Sequence, residues 1–110
     1  MKDINELPEH RQIKLIKNNR FLIRYMNKTF KELCEMLLNK DNIRIIDIFT
    51  NMKNPTCIDK LDAVKKRGYL IKYIKDPTEE MKLIAVKMTG DIAYIKNPTE
   101  EMKMIAITLG

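Results

Sequence analysis

The chain has 110 residues, the usual size of one domain and enough to bury a modest core without disulfides or metals. It is 45% hydrophobic and 33% charged, with three Gly and four Pro, and Lys, Glu, Leu, Ile, Met and Ala dominate it, which argues against an all-β fold. The net charge of +6 favours an acidic partner such as nucleic acid, an acidic protein surface or anionic lipid.

The first predicted repeat unit covers residues 7–28. Behind Pro8 comes the helix-like segment EHRQIKLIKNN. A shorter apolar segment, FLIRYMNK, follows from Phe21 to Lys28. It matches YLIKYIKD, at residues 69–76, in the order aromatic, Leu, Ile, basic, Tyr, apolar. The match indicates that one structural unit occurs more than once in the chain.

A divergent pair of helices is predicted for the second unit, residues 29–54. Their apolar positions have the spacing of one buried face. They are Phe30, Leu33, Cys34 and Leu37 in the first helix, and Ile45, Ile46, Ile48, Phe49 and Met52 in the second. Cys34 and Cys57 belong to no CxxC pair and lie in apolar-periodic stretches, so we expect both to be buried, reduced thiols.

The third unit, residues 55–76, leaves its helix register open. Aligned with the fourth unit, Asp59 and Asp62 fall where apolar residues stand. In one interpretation the helix is rotated by about one residue, so that Ile58 and Leu61 point inward. In the other interpretation, the two carboxylates lie on an exposed face of the helix and have a functional role. We favour the rotation because an uncompensated buried carboxylate is costly.

The fourth and fifth units, residues 77–97 and 98–110, begin with nearly the same dozen residues. KDPTEEMKLIAV starts at Lys75, and KNPTEEMKMIAI starts 21 residues later. Asp76 is predicted to be the N-cap of a helix, with Pro77 at its first position and Glu79 at N3, near the positive end of the helix dipole. The second copy repeats this start with Asn97, Pro98 and Glu100.

After each start, the same apolar face is predicted to be buried. Its members are Met81, Ile84, Ala85 and Met88 in one copy, and Met102, Ile105, Ala106 and Leu109 in the other. Gly68 and Gly90 are predicted to end helices in the left-handed conformation. Each is followed by a second short segment, YLIKYIKD or DIAYIKN, which we also expect to be helical.

These patterns predict an all-α fold of about nine short helices. A unit of 21 to 26 residues cannot bury its apolar face alone, so neighbouring units must stack. The expected architecture is a single domain, residues 1–110, folded as a compact α-solenoid of about four to five helical hairpin repeats.

The repeated segments resemble the short tandem helical-hairpin repeats of many uncharacterised bacterial and phage proteins, and they look like shortened HEAT-type repeats. The resemblance covers residues 53–110 clearly and 7–52 weakly. It implies a binding surface rather than a particular activity. In size, basicity and Lys, Asn and Ile content the chain is also similar in style to small phage anti-defence proteins, including anti-CRISPR inhibitors.

The residues that enzymes use are sparse, and we predict no catalytic residue, no metal site and no cofactor. The chain has no Ser, and its few glycines form no phosphate-binding loop. Lone His10 has no second His or Cys to complete a metal site. The paired glutamates at residues 79–80 and 100–101 are explained by helix starts. The longest apolar runs, LIAV and MIAI, are far shorter than a membrane span, so we expect a soluble cytoplasmic protein.

One constellation suggests a binding site for a macromolecule. Residues 65–75 carry five basic residues and no acid. They are Lys65, Lys66, Arg67, Lys72 and Lys75, with Tyr69 and Tyr73 between them. Arg20 and Arg24 stand beside Phe21 and Tyr25 in the early copy. Stacked hairpins would align such residues into a stripe that follows the phosphate backbone of a nucleic acid, with the tyrosines stacking on its bases. Alternatively, the lysines form a solvated face over tyrosines that belong to the core.

Three functional hypotheses follow. The leading one, taken with the resemblance, is a non-enzymatic helical-repeat protein that binds a larger bacterial protein or nucleoprotein complex, as a phage or mobile-element inhibitor that occludes an effector. The second is a protein that binds nucleic acid directly through its basic, Tyr-interleaved face. The third is a self-assembling structural protein, in which the helix from Thr99 to Leu109, which no further repeat covers, forms a homodimer.

Overall fold

The computed structural model describes residues 3–40 and 42–109, and within these ranges the fold is all-α, with no strand. The α-helices are α1 (Glu9–Asn18), α2 (Phe30–Leu37), α3 (Ile45–Asn51), α4 (Cys57–Lys66), α5 (Glu79–Thr89) and α6 (Glu100–Leu109). Three 3₁₀ segments complete it: η1 (Ile4–Glu6), η2 (Arg20–Tyr25) and η3 (Gly68–Tyr73). No helix in the described ranges has the length and apolarity needed to cross a membrane.

One predicted helix is missing, because residues 91–97 form a turn instead. The N–H of Ile95 donates to the carbonyl of Ile92 at 3.1 Å, which closes a single turn. Ahead of it, the Asp91 carboxylate accepts the N–H of Ala93 at 2.8 Å. Such a side-chain hydrogen bond offers the backbone an alternative to helix. The corresponding segments near Phe21 and Tyr69 are helical, but as six-residue 3₁₀ helices.

Threonines begin the helices of the last two units, so the prediction of Asp76 and Asn97 as N-caps is wrong. The hydroxyl of Thr78 accepts the N–H of Met81 at 3.2 Å, and α5 begins at Glu79. In the same way, the Thr99 hydroxyl accepts the N–H of Met102 at 3.2 Å. Asn97 instead adopts a left-handed conformation with φ 53°.

Threonines also cap two earlier helices, α2 and α4. Thr29 and Glu32 form a reciprocal capping box at the start of α2, with side chain to backbone N–H distances of 3.1 and 2.9 Å. Thr56 and Asp59 do so at the start of α4, with distances of 3.1 and 2.8 Å. Asp59 therefore stands third after the threonine, where α5 has Met81.

Both interpretations of the third unit are wrong, because the helix keeps its register and buries the carboxylate. Asp59 is 4% exposed, whereas Ile58 is 70% exposed. The burial is compensated: besides the Thr56 N–H, the carboxylate accepts the N–H of Phe30 at 2.8 Å. One buried side chain thus serves the first turns of both α2 and α4.

The chain divides into two compact units, which are larger than the predicted repeat units. The first compact unit ends at Asp59 and the second begins at Lys60, and we call them the first unit and the second unit. In the first, η2 packs against α1 and α3, and α2 packs against α3. The rings of Phe30 and Phe49 meet edge to face, with centroids 5.7 Å apart, in its core. In the second, α5 packs against η3 and α6.

The two glycines predicted to end helices have different roles. Gly90 closes α5 as predicted, with φ 69°, and its N–H donates to the carbonyl of Val86 at 2.8 Å. Gly68 is not a left-handed cap; it is the buried first residue of η3. A Cβ there would lie 3.0 Å from Thr89 Cγ2 and 3.1 Å from the carbonyl oxygen of Ala85. Gly68 therefore allows η3 to approach α5 closely.

Several predicted core positions are exposed. Met81 and Ala85 are buried as predicted, but Met88, in the last turn of α5, is exposed, and Val86 is buried instead. Leu109 is likewise exposed at the end of α6. Cys34 is buried, whereas Cys57 is exposed at the first position of α4. The buried face of α4 is made by Asp59, Ala63 and Val64.

Replacing Asp59 with Ala should lower the free energy of unfolding by about 3 kcal/mol, because two N–H groups lose a charged acceptor. Asp59→Met should also destabilise the fold, although methionine occupies the same register in α5 and α6, because it accepts neither N–H. Urea unfolding followed by circular dichroism measures both. Asp62→Ala, on the same helix, is the control and should change stability by less than about 0.5 kcal/mol. An Asp59→Met variant as stable as the wild type would contradict this account.

Gly68→Ala should destabilise the fold by about 1–3 kcal/mol, because the added methyl group overpacks the contact between η3 and α5. The same urea unfolding measurement tests it. The backbone carbonyl of Ala85 cannot rotate away as a side chain can, so relief requires η3 to shift. Unchanged stability, with the amide resonances of residues 68–73 unmoved in NMR spectra, would show that the contact is not tight.

A candidate anion-binding cleft

The predicted site residues fall in both units. Arg20 and Arg24 lie on η2 in the first unit, while the residues from the 65–75 stretch lie in the second. Within that stretch, residues 65–67 are exposed at the end of α4 and just beyond it. Lys72, Tyr69 and Tyr73 lie on η3, and Lys75 follows it.

Lys72 is surrounded by three tyrosine rings. Its Nζ lies 6.0 Å from the ring centroid of Tyr69, 5.2 Å from that of Tyr73 and 5.6 Å from that of Tyr94. These distances are those of cation–π contacts. Tyr69 and Tyr73 flank Lys72 on one short 3₁₀ helix, whereas Tyr94 lies after α5, in the predicted fourth repeat unit. The rings hold the ammonium group in place without neutralising its charge.

The turn at residues 91–95 positions Tyr94. The Thr89 hydroxyl accepts the N–H of Asp91 at 3.1 Å, and the Asp91 carboxylate accepts that of Ala93. Ile95, directly after Tyr94, is buried and anchors the turn. The missing helix therefore has a consequence for the site, since this turn places the Tyr94 ring over Lys72.

Lys72 and Tyr94 line a cleft of about 430 Å³, which we name the lysine cleft. Its polar lining includes Lys72, Lys75, Lys82, Lys96, Asp76 and Tyr94. The floor is apolar, with Ile71 and Ile74 from η3 and the segment after it. Four lysines and one carboxylate, that of Asp76, line this cleft, and Lys82 is paired with Glu79, so the net charge of the cleft is positive.

Lys82 is the most enclosed of these lysines. Its Nζ lies 3.1 Å from a carboxylate oxygen of Glu79, one turn earlier on α5, and its side chain is 17% exposed. Glu79 is itself largely exposed, so the pair is screened by solvent and contributes little stability.

The remaining predicted basic residues lie outside this cleft. Arg67 donates from its guanidinium to the carbonyl of Lys66 at 2.8 Å. Arg20 pairs with Asp47, with Nε 3.5 Å from Oδ2, and donates to the carbonyl of Lys17 at 3.2 Å. Arg24 lies over the ring of Phe21 at 4.7 Å. The stretch from Lys65 to Lys75 thus contributes to the lysine cleft only through Ile71, Lys72, Ile74 and Lys75.

Sequence reasoning missed Tyr94, Lys82 and Lys96 as site residues. The repeat contained a signal for two of them: Tyr94 follows Tyr73, and Lys96 follows Lys75, by the 21-residue period. Of these pairs, Lys75 and Lys96 both line the lysine cleft, whereas Tyr94 lines it without Tyr73. Lys82 carried no comparable signal, because only packing shows that its side chain reaches this side of α5.

The face of α6 is the other unusual surface. Met104 is 63% exposed and Ile107 is 76% exposed, and with Leu109 they form an apolar surface beside a hollow of about 470 Å³. Met102, in contrast, is buried. A polar substitution at Met102 would therefore disturb the core, and Met104 and Ile107 are the positions that test association through α6.

No group of His, Cys, Asp and Glu side chains in the described ranges has the arrangement of a metal site. His10 is exposed on α1. The chain matches no protein-family model, and no curated protein or solved structure matches it.

Proposed function

We propose that this chain is a non-enzymatic helical-repeat protein that binds single-stranded nucleic acid in the lysine cleft. The observation that carries the proposal is Lys72 held among three tyrosine rings in a cleft that three further lysines line. Lysines attract the phosphate backbone, and exposed rings stack on unpaired bases.

Single strands fit this surface better than duplexes. Tyr73 and Tyr94 are each 44% exposed, so part of each ring is open to a base. The bases of a duplex are already stacked on each other and present only their edges in the grooves. The lysine ammonium groups act as point charges and carry no planar pattern of donors that would read a base edge, so we expect little sequence preference.

The repeat architecture belongs to the same proposal. Stacked hairpins would form an α-solenoid, in which successive units offer similar residues to one extended ligand. Such a protein would bind its nucleic acid in the cytoplasm of a bacterial or infected host cell.

A second candidate function is inhibition of a bacterial nucleoprotein effector by occlusion, the role of phage anti-CRISPR proteins. The exposed apolar face of α6 favours it, because Met104 and Ile107 offer a protein-binding surface in the same unit as the lysine cleft. An effector subunit would contact the apolar face while the lysine cleft contacts its nucleic acid. Association of two copies through α6 is the competing use of this face.

Replacing Lys72, Lys75 and Lys96 together with Gln should weaken binding of a labelled oligothymidylate at least about tenfold, and the salt slope should fall by about 2, because three phosphate contacts are lost. Fluorescence anisotropy at several salt concentrations measures both quantities. A duplex of the same length is titrated in parallel and should bind more weakly.

The matched control replaces Lys65, Lys66 and Arg67 with Gln, which removes the same net charge outside the lysine cleft. It should change the affinity by less than about threefold, since only long-range attraction is lost. Equal losses in the two triple variants would show that net charge, rather than the cleft, drives binding. Absence of binding by the wild type at low salt would overturn the proposal and favour the protein-partner candidate.

Tyr94→Leu separates stacking from charge. It should weaken oligothymidylate binding about fivefold or more, because stacking on an aromatic ring contributes about 1–3 kcal/mol per base. The salt slope should stay at the wild-type value, since no phosphate contact is removed. A reduced salt slope with this variant would mean that Tyr94 acts by positioning Lys72 rather than by stacking.

A further inference from the structure

The first unit contains a cleft that corresponds to the lysine cleft, and we propose that it is a second binding site for the same ligand. This inference rests on the proposed function. The cleft has a volume of about 410 Å³ and lies around Arg24, and we name it the arginine cleft. All of its lining residues belong to the first unit, so each unit holds a complete site.

The correspondence is residue by residue. Ile23, Arg24 and Met26 line the arginine cleft, and Ile71, Lys72 and Ile74, each 48 positions later, line the lysine cleft. In both cases the wall is a six-residue 3₁₀ helix and the residues after it. The facing wall includes Leu33 of α2 in one unit and Lys82 of α5 in the other. The repeat has therefore built the same cleft twice.

Arg24 is held as Lys72 is held, by aromatic rings on its own 3₁₀ helix. Its guanidinium carbon lies 4.7 Å from the ring centroid of Phe21 and 5.7 Å from that of Tyr25. Both rings are about half exposed, as are those of Tyr73 and Tyr94. A cation flanked by exposed rings is thus present in both units.

An unsatisfied donor marks the arginine cleft independently of the repeat. The Nε of Arg24 is buried and has no hydrogen-bond partner among the described residues. A buried donor without an acceptor is costly, and an oxyanion can accept from Nε and a terminal nitrogen of a guanidinium at once. A phosphate oxygen of the ligand would supply the acceptor that Arg24 lacks.

Other groups around Arg24 complete a site for an anion. Lys28 and Lys53 add two positive charges to the lining. Thr29 and Thr56 also line it, and because their hydroxyl oxygens accept helix N–H groups, their hydroxyl hydrogens can point elsewhere and donate.

Two carboxylates lie in the same lining, and both are engaged by backbone N–H groups. Glu32 accepts from Thr29, and this backbone hydrogen bond lowers the pKa of Glu32 below its ordinary value. Asp59 accepts from Phe30 and Thr56. These bonds reduce the repulsion that a phosphate would meet but do not remove it. The arginine cleft should therefore bind the ligand more weakly than the lysine cleft.

The wall that carries Arg24 is fixed from the N-terminal side. The Asn5 side chain donates to the carbonyl of Tyr25 at 2.9 Å and accepts the N–H of Asn27 at 2.8 Å. The buried Gln12 side chain in turn donates to the carbonyl of Ile4 at 2.9 Å. The arginine cleft is thus preformed, which lowers the entropic cost of binding.

Titration of the full chain with an oligothymidylate too short to reach two sites should show two molecules bound per chain. Isothermal titration calorimetry gives the stoichiometry. NMR spectra locate each site through the amides of residues 23–29 and 52–56 in one unit and 71–76 and 94–96 in the other. Arg24→Ala should weaken the first site about tenfold or more and leave the second unchanged, and Lys72→Ala should do the reverse.

Arg11→Ala, an exposed arginine on α1, is the matched control and should leave both sites intact. Arg24→Lys retains the charge but not the fork of donors, so it should still weaken the first site if the unsatisfied Nε matters. One bound molecule per chain, lost with Lys72→Ala, would overturn the second site and leave the proposed function standing. Two sites that are insensitive to Arg24→Ala would overturn this assignment, and no binding at all would overturn both proposals.

Discussion

The buried carboxylate of Asp59 is the interaction on which the first unit depends. It accepts N–H groups from two helix starts: that of α2 at Phe30, 29 residues before Asp59 in sequence, and that of its own helix at Thr56. A buried charge is tolerable only when donors of this kind compensate it. Both helix starts have N–H groups that need an acceptor, and the Asp59 carboxylate supplies it to both, so its burial stabilises the fold. The same two helix starts form part of the arginine cleft.

A threonine caps four of the α-helices in the described ranges, α2, α4, α5 and α6, and the residue third after the threonine varies with its surroundings. Where that position faces another helix start it is Asp59, where it faces solvent it is Glu32, and where it faces an apolar core it is Met81. The hydroxyl caps the helix in every case, so the backbone geometry is retained while the side chain changes. Helices with the same threonine cap can thus have an acidic or an apolar side chain at the third position after it.

The two clefts follow from the short 3₁₀ helices. Six residues bring a basic side chain between two aromatic rings, at positions 21, 24 and 25 in one unit and 69, 72 and 73 in the other. The rings restrict the cation, and two buried apolar residues anchor each segment, Ile23 and Met26 in one unit and Ile71 and Ile74 in the other. In the second unit the turn at residues 91–95 adds the third ring, of Tyr94. A segment that fails to form the expected helix is what completes this site.

From the sequence alone, the all-α class, most helix positions, the Gly90 cap and the basic, aromatic character of the surface could be predicted, because these depend on local spacing and composition. The choice between Asp76 and Thr78 as cap, the burial of Asp59 and the tight approach at Gly68 could not, because each depends on which groups lie opposite after packing. The sequence shows that the stretch from Lys65 to Lys75 is rich in basic residues, but only the tertiary structure brings Lys72 and Lys75 into a cleft with Tyr94, Lys82 and Lys96. Charge is a property of sequence, whereas a binding site requires charges from separate segments to converge, and only the packing of those segments decides that.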